Sequence, residues 1–255
     1  MKSTMFFTGI LSMTLVFVLG LILTGCPNEP EPETPVSLIQ NIAKDEQVYQ
    51  NSDNVMAPFP KYTDSGTVKL KLNEGRYKEV GTITKGKLTI TLPDSIENND
   101  LIPLADELES LVSAETIAGD LTVNPSDAKG LPAVFAIFAG ETEIGSLNYV
   151  KQSIDSLPFL PSSPLITTRH TIEYMYFPQP TGIITDVSLE DFSESAVDAH
   201  VDGNQGWNKL YMRISLNISE TATSVNGTIT SNLENIPSNM QWVASSESAA
   251  PIMED

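Results

Sequence analysis

The stretch Lys209-Leu210-Tyr211-Met212-Arg213-Ile214-Ser215-Leu216-Asn217-Ile218 decides the fold class. Leu210, Met212, Ile214, Leu216 and Ile218 alternate with Lys209, Tyr211, Arg213, Ser215 and Asn217. Strand side chains point to opposite faces in turn, so this period of two predicts a strand with one apolar and one polar face. Shorter segments of similar character flank it at Thr171–Phe177, Ile183–Leu189, Val225–Thr230 and Met240–Val243.

The same pattern continues toward the amino terminus. Val68, Leu70 and Leu72 alternate with Thr67, Lys69 and Lys71. Thr82-Ile83-Thr84 and Lys87-Leu88-Thr89-Ile90-Thr91-Leu92 predict a hairpin turning at Lys85-Gly86, with Leu88, Ile90 and Leu92 on one face and Pro93 as the stop. Leu131–Ala139 is almost wholly apolar, as expected of a strand buried on both faces, and Ile144–Val150 is its expected partner. Leu104, Leu108, Leu111 and Val112 recur at helical spacing behind Pro103, so one short amphipathic helix is expected there. Val36–Tyr49 shows only weak helical periodicity and is expected to be a short helix or tether. The chain is therefore expected to be mainly β, with nine or ten short strands and one short helix. An antiparallel β-sandwich is the first choice of architecture and a β-barrel the second.

The 255 residues include 14 Lys and Arg against 33 Asp and Glu, a net charge of −19. Nucleic acid is not an expected partner, because cationic groups must replace the counterions around phosphates. The single cysteine excludes an intramolecular disulfide and a CxxC metal site. Its position assigns it another role. Lys2 precedes an apolar run of about 18 residues, from Phe6 to Leu23, which borders on transmembrane length but has the layout of an export signal. At its end Leu23-Thr24-Gly25-Cys26 resembles the lipobox of bacterial lipoproteins. That resemblance implies cleavage between Gly25 and Cys26 and acylation of Cys26. Losing 25 residues that carry only Lys2 leaves 13 basic against 33 acidic side chains, a charge of −20.

Pro27-Asn28-Glu29-Pro30-Glu31-Pro32-Glu33-Thr34-Pro35 follows. Alternating Pro and Glu favours an extended tether, which at nine residues reaches about 28 Å. The expected organisation is a signal over 1–25, then the lipidated cysteine, tether and possible short helix over 26–55. A β-rich domain follows over 56–244, with a possible sub-boundary near 155–164, and a polar tail over 245–255. The sub-boundary rests on Leu157-Pro158-Phe159-Leu160-Pro161-Ser162-Ser163-Pro164, which cannot form regular structure.

Tyr174-Met175-Tyr176-Phe177, Gly206-Trp207-Asn208-Lys209-Leu210-Tyr211, Val225-Asn226-Gly227-Thr228 and Gln241-Trp242-Val243 resemble a pattern in uncharacterised β-rich lipoproteins of spirochaetes and related bacteria. Gly81–Leu88 continuing through Leu92-Pro93 is similar to their amino-terminal half. The resemblance implies an envelope location, at the cell membrane or outer membrane, and transfers no activity.

Candidate chemistry is sparse. Gly81-Thr82-Ile83-Thr84-Lys85-Gly86-Lys87-Leu88 approaches a phosphate-binding loop, but Leu88 stands where a hydroxyl is needed and alternating Thr and Ile suits a hairpin. Asp198-Ala199-His200-Val201-Asp202-Gly203 resembles the start of a calcium loop, with Asp198, Asp202 and Asn204 as weak candidate ligands. Lys209 at the twelfth position replaces the bidentate Glu and opposes a cation, so a solvated acidic turn is the stronger expectation. The histidines, His170 and His200, accompany neither a G-x-S-x-G elbow nor an H-E-x-x-H helix. The expected function is a membrane-anchored binding or scaffolding module, without catalysis or cofactor. Its partners are the bilayer through Cys26 and an unspecified protein or small molecule. An apolar-ligand carrier near Leu131–Ala139 and an exported hydrolase are the alternatives.

Overall fold

The computed structural model describes residues 39–51, 58–105, 117–156, 165–189, 194–218, 223–234 and 236–246. Residues Cys26 and Gly25, the Pro/Glu stretch, most of the expected helix, 157–164 and the polar tail lie outside these. The strands are β1 (Asn41–Gln50), β2 (Gly66–Lys71), β3 (Tyr77–Thr84), β4 (Lys87–Thr91) and β5 (Ile102–Pro103). They continue with β6 (Ile117–Asn124), β7 (Lys129–Pro132), β8 (Phe135–Ala139), β9 (Thr142–Ser156) and β10 (Leu165–Phe177). The last are β11 (Thr181–Leu189), β12 (Glu194–Gly203), β13 (Gly206–Ile218), β14 (Thr223–Thr230) and β15 (Gln241–Ser246).

Seven of them close into a barrel in the order β15-β1-β4-β3-β2-β8-β9, sealed where β15 pairs with β9. The closed barrel, second of the two expected architectures, forms in place of the sandwich. The reason is β15, which is hydrogen-bonded to β1 in parallel and to β9 antiparallel, so neither end of the first sheet is left as an edge. A barrel of this size leaves room only for side chains. Val68, Leu70, Ile83, Leu88, Ile90, Phe135, Ile137 and Trp242 fill it.

The expected hairpin forms as β3 and β4, with Lys85 and Gly86 at the turn, both at positive φ. Phosphate-loop geometry does not arise, because the turn at Lys85-Gly86 leads straight into strand β4 and not into a helix. Val36–Tyr49 was expected to hold a helix or tether, and 41–50 is instead a barrel strand. Its register against β4 shifts between Ala43 and Glu46, where Asp45 has φ 54°. Such a bulge breaks the period of two, and the residual pattern imitates a helix. The β-rich unit therefore includes residues before 56.

Strand β9 serves both the barrel and its extension within one continuous sheet. Its first half pairs with β8, and Tyr149–Ser156 pairs with β10. From β10 the sheet runs on through β13, β14, β12, β11 and β6, outside the barrel. One face of this extension carries a second core of Met175, Phe177, Ile183, Val201, Leu210, Met212 and Ile229. The other presents Tyr174, Tyr176, Trp207 and Tyr211 to the barrel core. Trp207 Nε1 donates to the Pro93 carbonyl at 2.8 Å, tying extension to barrel. The two cores do not divide at 155–164: β15, near the carboxyl end, belongs to the barrel, and β6, from the amino-terminal half, belongs to the extension.

Candidate functional site

The decisive strand of the sequence, β13, sits between β10 and β14. Its apolar Leu210 and Met212 enter the second core, so Tyr211, Arg213 and Ser215 share the opposite face. Register assembles the rest. His170 of β10 lies opposite Arg213 on one side and Lys151 of β9 on the other. Arg213 lies opposite Thr228 of β14, and Thr228 is next to Asp198 of β12. In the adjacent row Tyr211 lies opposite Thr230, and Thr230 is next to His200.

An open cleft of about 580 Å³ lies over these rows, lined by His170, Tyr211, Arg213, Thr228, Thr230 and Asn232. His170 Nδ1 and Tyr211 Oη share a 2.7 Å hydrogen bond, and the two rings stack at 7° with centroids 6.0 Å apart. Burial pushes the Tyr211 phenol above its ordinary range, with the positive Arg213 opposing that rise. The phenol is therefore a neutral, protonated anchor that orients the imidazole. One row away, Thr168 Oγ1 and Ser215 Oγ are 3.1 Å apart. The floor offers hydroxyls, an amide, an imidazole and the guanidinium of Arg213, groups suited to a polar ligand.

Strand β10 carries ionisable groups on both faces. Arg169 and Glu173 point away from the cleft, opposite Ile214 and Leu210 on β13. Glu173 is partly buried as a residue, but its Oε1 is enclosed and has no hydrogen-bond partner among the described residues; the same holds for Arg169 Nε. Burial raises the Glu173 carboxyl to about 7, and the positive charge of Arg169 only partly opposes it. Burial likewise lowers Arg169.

The candidate calcium ligands are set apart. The acidic segment expected to be a solvated turn is β12, and extended geometry separates Asp198 and Asp202 by roughly 13 Å along the strand. Asn204 follows the strand in a turn, where its N–H donates to Asn208 Oδ1 at 2.8 Å and its carbonyl accepts from Asn208 Nδ2 at 2.7 Å. No group of three His, Cys, Asp or Glu among the described residues is placed to hold a metal ion. His200 Nε2 is 3.3 Å from Asp202 Oδ2 on the open surface. His170 and His200 stand three strands apart, so they do not share a site. The region expected to hold an apolar ligand, around Phe135 and Ile137, lies within the packed barrel.

Lys151, Arg213, Thr228, Thr230 and Asn232 went unrecognised as site residues in the sequence. Alternation places Tyr211 and Arg213 on one face of their strand, but only register between strands brings in the others. Compared with protein-family models, curated proteins and solved structures, the chain matches none.

Proposed function

We propose that the protein is a lipid-anchored envelope protein whose β-rich module binds a partner or ligand without catalysing its conversion. One observation carries the anchor: the sole cysteine stands at the end of an apolar export signal, in Leu23-Thr24-Gly25-Cys26. Two acyl chains on Cys26 hold a protein at a membrane far more firmly than one. The Pro/Glu stretch then spaces the module from the bilayer. A rigid, side-chain-filled barrel bearing a polar cleft on its extension suits a binding module. The apolar-carrier alternative draws no support from a filled lumen. Hydrolysis draws none from surface-exposed His200.

Metabolic labelling with a fatty-acid analogue tests the anchor. The wild-type chain is expected to incorporate label and fractionate with membranes, and Cys26→Ser to lose both. Unchanged labelling of Cys26→Ser would refute the assignment.

A further inference from the structure

We infer that the face of β10 turned away from the cleft, between Arg169 and Glu173, binds a zwitterion of amino-acid type, a small molecule that carries both a carboxylate and an ammonium group. This deepens the binding-module reading above and rests on it, but depends on neither the anchor nor the cleft. Arg169, Thr171 and Glu173 alternate along β10 and so share one face. Arg169 Nε and Glu173 Oε1 are both enclosed, and neither has a hydrogen-bond partner among the described residues. Buried polar groups without partners are rare in folded proteins and destabilising, the more so when charged. Here one positive donor and one carboxyl acceptor are left open on the same face. They do not satisfy each other. Four residues of extended strand hold their Cα atoms about 13 Å apart. The ion pairs among the described residues, Arg76–Asp100 and His200–Asp202, do not include them. Arg169 nevertheless opposes the burial-driven rise of Glu173, so the two groups lie close enough to sense one another. A ligand with both charges bridges the gap, its carboxylate on the guanidinium and its ammonium group on the carboxylate. A ligand with one charge would leave the other group unpartnered.

The flanking strands supply the walls. Register places Ile214, Met212 and Leu210 of β13 opposite Arg169, Thr171 and Glu173. On the other side Gln152 and Val150 of β9 lie opposite Arg169 and Thr171. Leu210, Met212 and Val150 are buried, Ile214 is half-buried against the second core, and Gln152 is exposed. The face therefore grades from a buried end at Glu173 to a more open end at Arg169. A ligand entering from the open end brings its ammonium group to Glu173 and leaves its carboxylate on Arg169. There the guanidinium can hold it through two parallel N–H bonds, with the Gln152 amide beside it. Met212 and Ile214 form an apolar wall for an aliphatic portion, the mixture of apolar lining and a few placed polar groups usual in small-ligand sites.

Isothermal titration of the full acylated chain in detergent micelles at pH 8 tests this. The probes are two zwitterions of different charge separation, leucine and 6-aminohexanoate. The controls are N-acetylleucine, which keeps only the carboxylate, and isoamylamine, which keeps only the ammonium group. At least one zwitterion is expected to bind saturably, and at least ten-fold more tightly than either control. Glu173→Gln preserves the shape of the side chain and removes its charge, and is expected to weaken that binding at least ten-fold. If Glu173→Gln fails to fold, Arg169→Met keeps an unbranched apolar stem and serves in its place, with the same loss expected. Absence of saturable binding by both zwitterions, a control binding as tightly as they do, or affinity unchanged in a folded variant would overturn the site. Cys26→Ser is expected to bind as the wild type does, so loss of acylation and loss of binding fail separately. Chemical conversion of a bound zwitterion would overturn the non-catalytic reading and leave the site standing.

Discussion

Glu173 makes the stability of this protein depend on pH in a direction opposite to that of a salt-bridged carboxylate. Burial favours its protonated form and raises it from 4.5 to about 7, despite Arg169 on the same strand face. The folded state therefore holds the proton more tightly than the unfolded chain. The resulting stabilisation is fully present below 4.5 and is lost as pH rises through 7. A rise of that size corresponds to about 3 kcal/mol, most of which falls between pH 5 and 8.5. Other carboxylates also shape the pH profile of a chain with 33 acidic residues, so the test is a double difference. Urea unfolding of the wild type and Glu173→Gln at both pH values isolates the one group, because the amide does not titrate. Any constant cost of leaving Arg169 without its neighbour cancels between the two pH values. The wild type is expected to lose roughly 2–3 kcal/mol more than the variant on going from pH 5 to 8.5. At about 2–4 °C per kcal/mol for a chain of this size, the relative shift in melting temperature is about 5–10 °C. Parallel pH profiles for the two proteins would refute the assignment of a neutral, buried carboxyl.

Two further outcomes follow from packing. A Cβ at Gly81 would collide with the carbonyl oxygen of Thr89, and one at Gly203 with the Phe177 ring, which is wholly buried. Gly81→Ala and Gly203→Ala are each expected to destabilise by about 1–3 kcal/mol in denaturant titrations, and a wild-type midpoint would contradict the close approach. The tryptophans separate by their indole N–H groups. Trp207 donates to Pro93, whereas the Nε1 of Trp242 is buried with no partner among the described residues. Both lose similar area on replacement by Phe, but only Trp207→Phe strands a carbonyl acceptor, and it is expected to cost about 1 kcal/mol more than Trp242→Phe. Equal losses would show that the Trp207–Pro93 bond does not couple extension to barrel.

The sequence by itself determined the local β character. Alternation named the strands from β2 through β4 and those around β13, because the period of two is a property of neighbours along the chain. The proposed export signal and the proposed acylation of Cys26 likewise rest on linear motifs alone. Other features were hidden by local irregularity: the bulge at Asp45 disguised β1 as a helix or tether, and exposed acidic residues alternating with Val197, Ala199 and Val201 made β12 read as a turn. Only the tertiary structure decided between sandwich and barrel, because closure depends on β15 finding both β1 and β9. The cleft belongs to the same category. Lys151, His170 and Arg213 are scattered over 63 positions of sequence, and strand register alone sets their side chains in one row. Alternation assigns a residue to a face of its own strand, whereas the neighbours it meets there are fixed by pairings between distant segments.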